Sequence, residues 1–196
     1  TDYSTYSSLD GLYGANNTTT SLYGESPEYL DIKLWTVEEG DCFNEEDVKK
    51  SAKVCVVGRT IVKELFGDKD APCVGKTIRF KSIPFRIVGV LKAKGYNSWG
   101  MDQDNVIIAP YTTVMKRIAA QTYFNSINMS ALSEDLSDAA IEEITGIIRH
   151  NHKLKDDAED DFTIRSQQEM METMGSTMDT ITIILVVAAA FSLLVA

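Results

Sequence analysis

His150 and His152 are the two histidines of the chain, and paired histidines are a natural place to look for metal or acid–base chemistry. They stand two positions apart. On a helix that spacing turns them to different faces, so they make a poor joint metal site. No Ser-His-Asp or Cys-His set can be assembled around either of them. Cys42, Cys55 and Cys73 are the three cysteines. None falls in a C-x-x-C spacing, which argues against a thiolate zinc site. An odd number cannot make a closed disulfide framework. Cys55 lies in the run Val54-Cys55-Val56-Val57 and reads as a small buried hydrophobe. Cys42 and Cys73 could bridge in an oxidising compartment.

Three other patterns suggest chemistry and then lose it. Asp102-Gln103-Asp104-Asn105 begins like a calcium loop, but the glycine and glutamate that should follow are missing; a polar turn is expected. Gly75-Lys76-Thr77 echoes a phosphate-binding loop. Asp70 stands where G-x-x-x-x-G-K-[ST] needs its first glycine, so a strand start is expected and ATP hydrolysis is not. Asp156, Asp157, Glu159, Asp160 and Asp161 read as a solvated acidic loop. The sequons Asn17-Thr18-Thr19 and Asn128-Met129-Ser130 matter only on a eukaryotic secretory route. The sequence therefore predicts no catalytic, cofactor or metal residues.

One loop reads as functional. Lys92 to Gly100, KAKGYNSWG, joins two strands. Its glycines, Gly95 and Gly100, would act as hinges. Tyr96 and Trp99 either face outward to meet a partner or cargo or pack over the surrounding lobe. Lys94, Gly95, Tyr96, Trp99 and Gly100 are the expected contact residues.

The elements that must position this loop follow from residue patterns. Thr1 to Tyr23, rich in Ser, Thr, Asn, Gly and Tyr, suits short strands and turns. Asn44 is an N-cap for a helical turn over Glu45 to Ser51. Ala52 to Val57 reads as a buried strand, broken by Gly58. Arg59 to Phe66 has helical spacing, with Gly67 as its stop. Thr77 to Phe80 and Phe85 to Leu91 read as strands around a Ser82-Ile83-Pro84 turn. Val106 to Ala109 is a strand closed by Pro110. Thr112 to Ala120 is helical, and Phe124 to Met129 a strand. Asp138 to His150 carries Ala140, Ile141, Ile144, Ile147 and Ile148 along one helical face. Phe162 to Arg165 reads as a strand. Ser166 and Glu169 form a capping box for a helix through Met170, Met171 and Met174. Trp35 and Phe43 are expected in the core. The interleaving lacks a regular βαβ period, which favours an α+β fold in two lobes.

Composition narrows the class. With 44% apolar and 24% charged residues the chain can build a core. A net charge of −10 opposes nucleic acid and anionic headgroups. The N-terminus carries no signal-peptide pattern. From Ile181 to Ala196 the sequence has no charge. This run is shorter than the about twenty residues a bilayer span needs, so residues 180–196 are expected to be a truncated transmembrane helix that continues in a longer protein. Its Thr and Ser hydroxyls can bond back to helix carbonyls.

An ordered set of segments carries a family resemblance. It begins with Leu22 to Leu30, then Glu39-Gly40-Asp41-Cys42-Phe43 with Glu46-Asp47. Val54 to Gly58, Leu65-Phe66-Gly67 and Val74 to Ile78 follow. Phe85 to Leu91, Lys94-Gly95, Gly100-x-Asp102-Gln103-Asp104-Asn105 and Pro110 to Thr113 continue the order. Arg149-x-x-His152 and Asp160-Asp161-Phe162-x-Ile164 close it. The set resembles the MacB-type periplasmic core domain of FtsX-like ABC permeases, with Asp41 where that family usually has Arg. The resemblance implies a porter-like lobe from residues 1–33 and 108–176, and an inserted β-rich lobe over 34–107. It implies a permease at the bacterial inner membrane, facing the periplasm or cell exterior and working as a homodimer. It further implies an ABC ATPase, fused or separate, whose motion reaches a periplasmic adaptor and outer-membrane channel. A Lol-type lipoprotein-release or FtsX-type hydrolase-regulating permease is the alternative the same resemblance allows. A soluble enzyme is disfavoured.

Overall fold

The computed structural model describes residues 2–14, 16–98, 100–131, 133–155 and 157–195, with side chains for all of these except 2–12, 134, 172 and 189–195. Contacts divide the chain into two compact units, Thr1–Ser130 and Ala131–Ala196.

The first unit is built on a mixed sheet of eight strands. It opens with a long hairpin, β1 (Asp2–Tyr13) and β2 (Asn16–Glu25), where the sequence suggested only short strands. The alternating Thr, Ser and Tyr residues suit a pleated ladder, and Gly14 takes φ +59° at the turn. The short helix α1 (Tyr29–Ile32), strand β3 (Val37–Gly40) and helix α2 (Glu45–Lys50) follow. Asn44 caps α2 as expected: its side chain accepts from the Asp47 amide at 3.0 Å, and Asp47 answers to the Asn44 amide at 3.1 Å. Strand β4 (Val54–Val57) leads through Gly58 into α3 (Arg59–Phe66), which ends at left-handed Gly67.

Strands β5 (Thr77–Phe80) and β6 (Ile83–Leu91) form a hairpin. Its turn is Lys81-Ser82, both at positive φ, as a two-residue primed turn requires. Pro84 therefore sits inside β6 opposite Arg79, not in the turn. Strand β7 (Val106–Pro110) precedes α4 (Tyr111–Val114), which widens into a π-helical turn over Met115–Ala119. Strand β8 (Ser126–Asn128) pairs with the start of β1.

Pairing runs β2-β7-β4-β6-β5-β1, and β1 returns to β2, so these six strands close a circuit. β4 and β7 are buried on both faces. Cys55, Val57, Ile107 and Ala109 join a core with Ile61, Leu65, Phe80, Phe85 and Ile87. Val54, Val56, Val106 and Ile108 face a second core with Tyr29, Leu30, Phe43 and Val48. The period of two along each strand makes this division, and burial on both sides explains their unbroken apolar runs. β7 lies between β2 and β4.

The second unit holds α5 (Ser137–His152) and α6 (Gln167–Val195). No α5 residue is buried, and Ile147 is half exposed. Residues 162–165 form no strand, because β-branched content alone supplies no partner edge. Ser166 accepts from the Glu169 amide at 3.0 Å, and the helix it opens runs on into the apolar segment. Thr177, Thr180 and Thr182 donate to carbonyls four residues back at 2.8–2.9 Å. All three cysteines are free, so Cys42 and Cys73 are not bridged. Cys55 is fully buried, as its setting predicts.

Candidate partner-contact site

The loop between β6 and β7 leaves the sheet where β4 also ends and β3 begins. Val37 sits opposite Leu91, and the Lys92 amide donates to the Thr36 carbonyl at 2.8 Å. Hydrogen bonds hold the base of the loop. The buried Asp104 carboxylate accepts from the Lys94 amide at 2.8 Å and the Gly95 amide at 2.9 Å. Asp102 accepts from the Asp104 amide at 2.8 Å and from the Thr60 hydroxyl on α3 at 2.7 Å. The Asp102-Gln103-Asp104-Asn105 pattern is thus a turn whose carboxylates bind the protein's own amides and hydroxyl. Gly58 explains how the chain passes so close. A Cβ at this position would lie 2.1 Å from the Asp104 carbonyl oxygen.

Gly95 and Gly100 take φ +72° and +73°. They are corners of a hydrogen-bonded turn: the Gly100 amide donates to the Asn97 carbonyl at 2.9 Å, and the Gln103 amide to the Gly95 carbonyl at 3.1 Å. The Lys94 ammonium donates to the Lys33 carbonyl at 2.6 Å and lies 5.3 Å from the Trp35 ring centroid. Its pKa is held below the ordinary lysine value by partial burial and by the nearby Lys33 charge. Tyr96 faces solvent, 73% exposed. Trp99 lies outside the described residues. The structure therefore brings Lys94, Gly95, Tyr96 and Gly100 onto one braced loop.

Sequence reasoning missed the neighbours. Leu34 follows α1 in the left-handed conformation, φ +52°, and is 82% exposed. Met101 is also exposed. Lys33 and Lys92 flank the loop. The β3–β6 pairing and the hydrogen bonds from Lys92 to Thr36 and from Lys94 to Lys33 join residues 33–36 to the loop, long-range contacts without a local sequence signal. Arg59 braces the same end, reaching Glu38 and Glu39 at 2.8 Å each and the Lys69 carbonyl at 2.9 Å. The Arg59 hydrogen bond holds the Glu38 carboxyl below its usual pKa.

Other candidate groups stay separate. His152 meets Asp161 at 2.8 Å, and Arg149 pairs with Asp160. Among the described residues no group of three His, Cys, Asp or Glu side chains could hold a metal ion. Exposed apolar and cationic groups on a rigid frame suit binding to another surface.

Comparison with known proteins gives the family. The model of the MacB-like periplasmic core domain matches residues 2–147. A macrolide export ATP-binding/permease protein MacB from Syntrophobacter fumaroxidans is 30% identical over 239 residues, covering 94% of this chain and 33% of that protein. Its counterpart from Wolinella succinogenes is 37% identical, covering 96% of this chain and 28% of its own length. The chain thus spans about a third or less of these curated relatives. The crystal structure of the periplasmic region of MacB from Actinobacillus actinomycetemcomitans aligns with TM-score 0.71 at 25% identity, covering 89% of this chain and 74% of that one. The extracellular domain of the transporter YknZ from Gram-positive bacteria shares the fold, with TM-score 0.66 at 19% identity over 79% of this chain and 76% of that one. With the family model matching residues 2–147 and relatives matching across most of its length, the chain belongs to the MacB-like periplasmic core domain family of ABC-transporter permeases.

Proposed function

We propose that this domain transmits ATP-driven motion from the membrane part of an ABC permease to a partner in the envelope, in the service of export. The observation that carries the reading is α6. Among the described residues, none of its stretch from Gln167 to Ala188 is buried, and by length and composition it can cross a membrane. A folded unit joined to such a helix has the parts needed to relay movement, and the braced loop at residues 92–105 is the surface that would meet the partner. The ATPase belongs to another domain or subunit. A periplasmic adaptor with an outer-membrane channel is the partner set that the resemblance implies, and a homodimer the working form. The porter-like lobe (1–33 and 108–176) and the inserted lobe (34–107) rest on that same resemblance.

Detergent partitioning tests the anchor. The full chain should bind micelles, and a chain ending before Thr180 should not. Equal behaviour of the two counts against the reading. The purified chain should also hydrolyse no ATP above blank; real turnover would overturn the assignment.

A further inference from the structure

Methionine is unevenly spread along the chain. Four of its 7 methionines, Met170, Met171, Met174 and Met178, lie near the start of α6. From Gln167 to Thr180 every apolar side chain is methionine, and within α6 the branched aliphatics begin only at Ile181. At about 3.6 residues per turn the four fall within an arc of roughly 100°, so they share one face. Met170, Met171 and Met178 are 49%, 66% and 62% exposed, and Met174 is half-buried. A face that needs only to be apolar has no local call for sulfur. Leucine matches methionine in helix propensity and packs in better-defined rotamers. What methionine adds is a soft, polarisable thioether on a flexible stem.

The spacing groups the sulfurs. Met174 falls between Met170 and Met171, one turn on, about 5–6 Å from each at Cβ. Long side chains on a helix lean toward its N-terminus, which carries Met174 over that pair. Three flexible thioethers can therefore close on one ion. The hydroxyls of Ser176, Thr177 and Thr180 are turned back onto helix carbonyls at 2.8–2.9 Å. The charge nearby has one sign. From Ser166 to Thr180 the sequence holds Glu169, Glu172 and Asp179 and no lysine, arginine or histidine, a local excess that attracts cations.

We infer that Met170, Met171 and Met174 form a thioether site for a soft monovalent cation of the copper(I) class. Carboxylates alone would suit a hard ion, but among the described residues no three His, Cys, Asp or Glu side chains could hold a metal. Thioethers instead select soft ions such as copper(I), and the surrounding acids supply attraction without being ligands. The site rests on the residues of α6 alone and not on the loop between β6 and β7.

The test uses the full chain in nonionic detergent micelles, with isotope-labelled methionine methyl groups followed by NMR. Cys42→Ser removes the one thiol that is not fully buried, so that it does not compete. Silver(I), which is stable to oxidation, is titrated first, and copper(I) under ascorbate second. The methyl signals of Met170, Met171 and Met174 should shift together and saturate. Met101, itself 60% exposed, should stay in place and serves as the control in the same sample. Magnesium should move none of them. The triple variant M170L/M171L/M174L keeps the face apolar and the helix intact, and should lose silver binding with its circular dichroism unchanged. Should that variant lose helix, M174L alone removes the central sulfur and should show the same loss. Met101 responding as strongly as the three, or silver affinity unchanged in the leucine variants, would overturn the inference. So would magnesium shifting the same methyls. Micelle binding is read alongside. A chain that partitions but ignores silver loses this site and keeps the permease reading. A chain that binds silver but not micelles does the reverse.

Discussion

β4 and the apolar half of α6 are made of the same kinds of residue. Val54-Cys55-Val56-Val57 is fully or almost fully buried, with no more than 6% exposure at any position. Ile183, Ile184, Leu185 and Val186 are each 61–64% exposed. In β4 the apolar surface is taken up by the protein's own cores on either side of the sheet. In α6 no core receives it among the described residues, and the amides of the helix interior are met within the helix. An apolar helix with internally satisfied amides is what a bilayer accepts. The pair shows that apolar composition says a segment leaves water, while only its surroundings say for which solvent.

Substitution should separate the two regions sharply. Phe85 lies fully buried in the first core against Phe80. Phe85→Ala should cost about 3–5 kcal/mol in urea unfolding of the first unit. Leu185→Ala on α6 should change that same unfolding by less than about 0.5 kcal/mol. A comparable loss from both would mean that α6 packs into a core after all.

A smaller effect is expected at the loop base. Gly58→Ala forces a Cβ against the Asp104 carbonyl, and backbone cannot yield as a flexible side chain can. The expected loss is about 1–3 kcal/mol, with amide shifts concentrated at residues 94, 95 and 104. An unperturbed loop in this variant would show that the bracing described here does not hold.

The smallest effect concerns Cys42. Burial, with added repulsion from Asp31, Asp47 and Glu28, raises its thiol pKa from 9.0 to about 11. The folded state favours the neutral thiol. The resulting stability is therefore complete below pH 9.0 and is lost as pH rises through about 11. Iodoacetamide labelling of the native chain should give a rate rising with a midpoint near 11 at this residue. Labelling at the rate of a free thiol near neutral pH would show Cys42 to be open to solvent, outside the second core.

Several local elements were legible because their causes are local. The Asn44 cap, the β4 run, the helix between Gly58 and Gly67 and the Ser166 side-chain bond to the Glu169 amide each depend on a few neighbouring residues, and each appears where its pattern lies. Failures came where a distant partner decides. Residues 162–165 had strand composition and found no edge to join. The Ser82-Ile83-Pro84 turn moved back to Lys81-Ser82 because the register of Arg79 with Pro84 draws the proline into β6. Gly95 and Gly100 were legible as positions of conformational freedom, but their partners, the Asp104 carboxylate for the Gly95 amide and the Asn97 carbonyl for the Gly100 amide, were not.

The sequence by itself determined the α+β class, the family and the segment that avoids water, since residue order, periodicity and an uncharged run are properties of the chain alone. Tertiary structure decided that β1 also pairs with β5 and β2 with β7, which closes the circuit, that Asp104 braces the loop between β6 and β7, and that Thr36 and Lys33 are hydrogen-bonded to that loop. Those features unite residues far apart in sequence, and a strand's choice of neighbour depends on complementary edges and faces that exist only once the chain has folded.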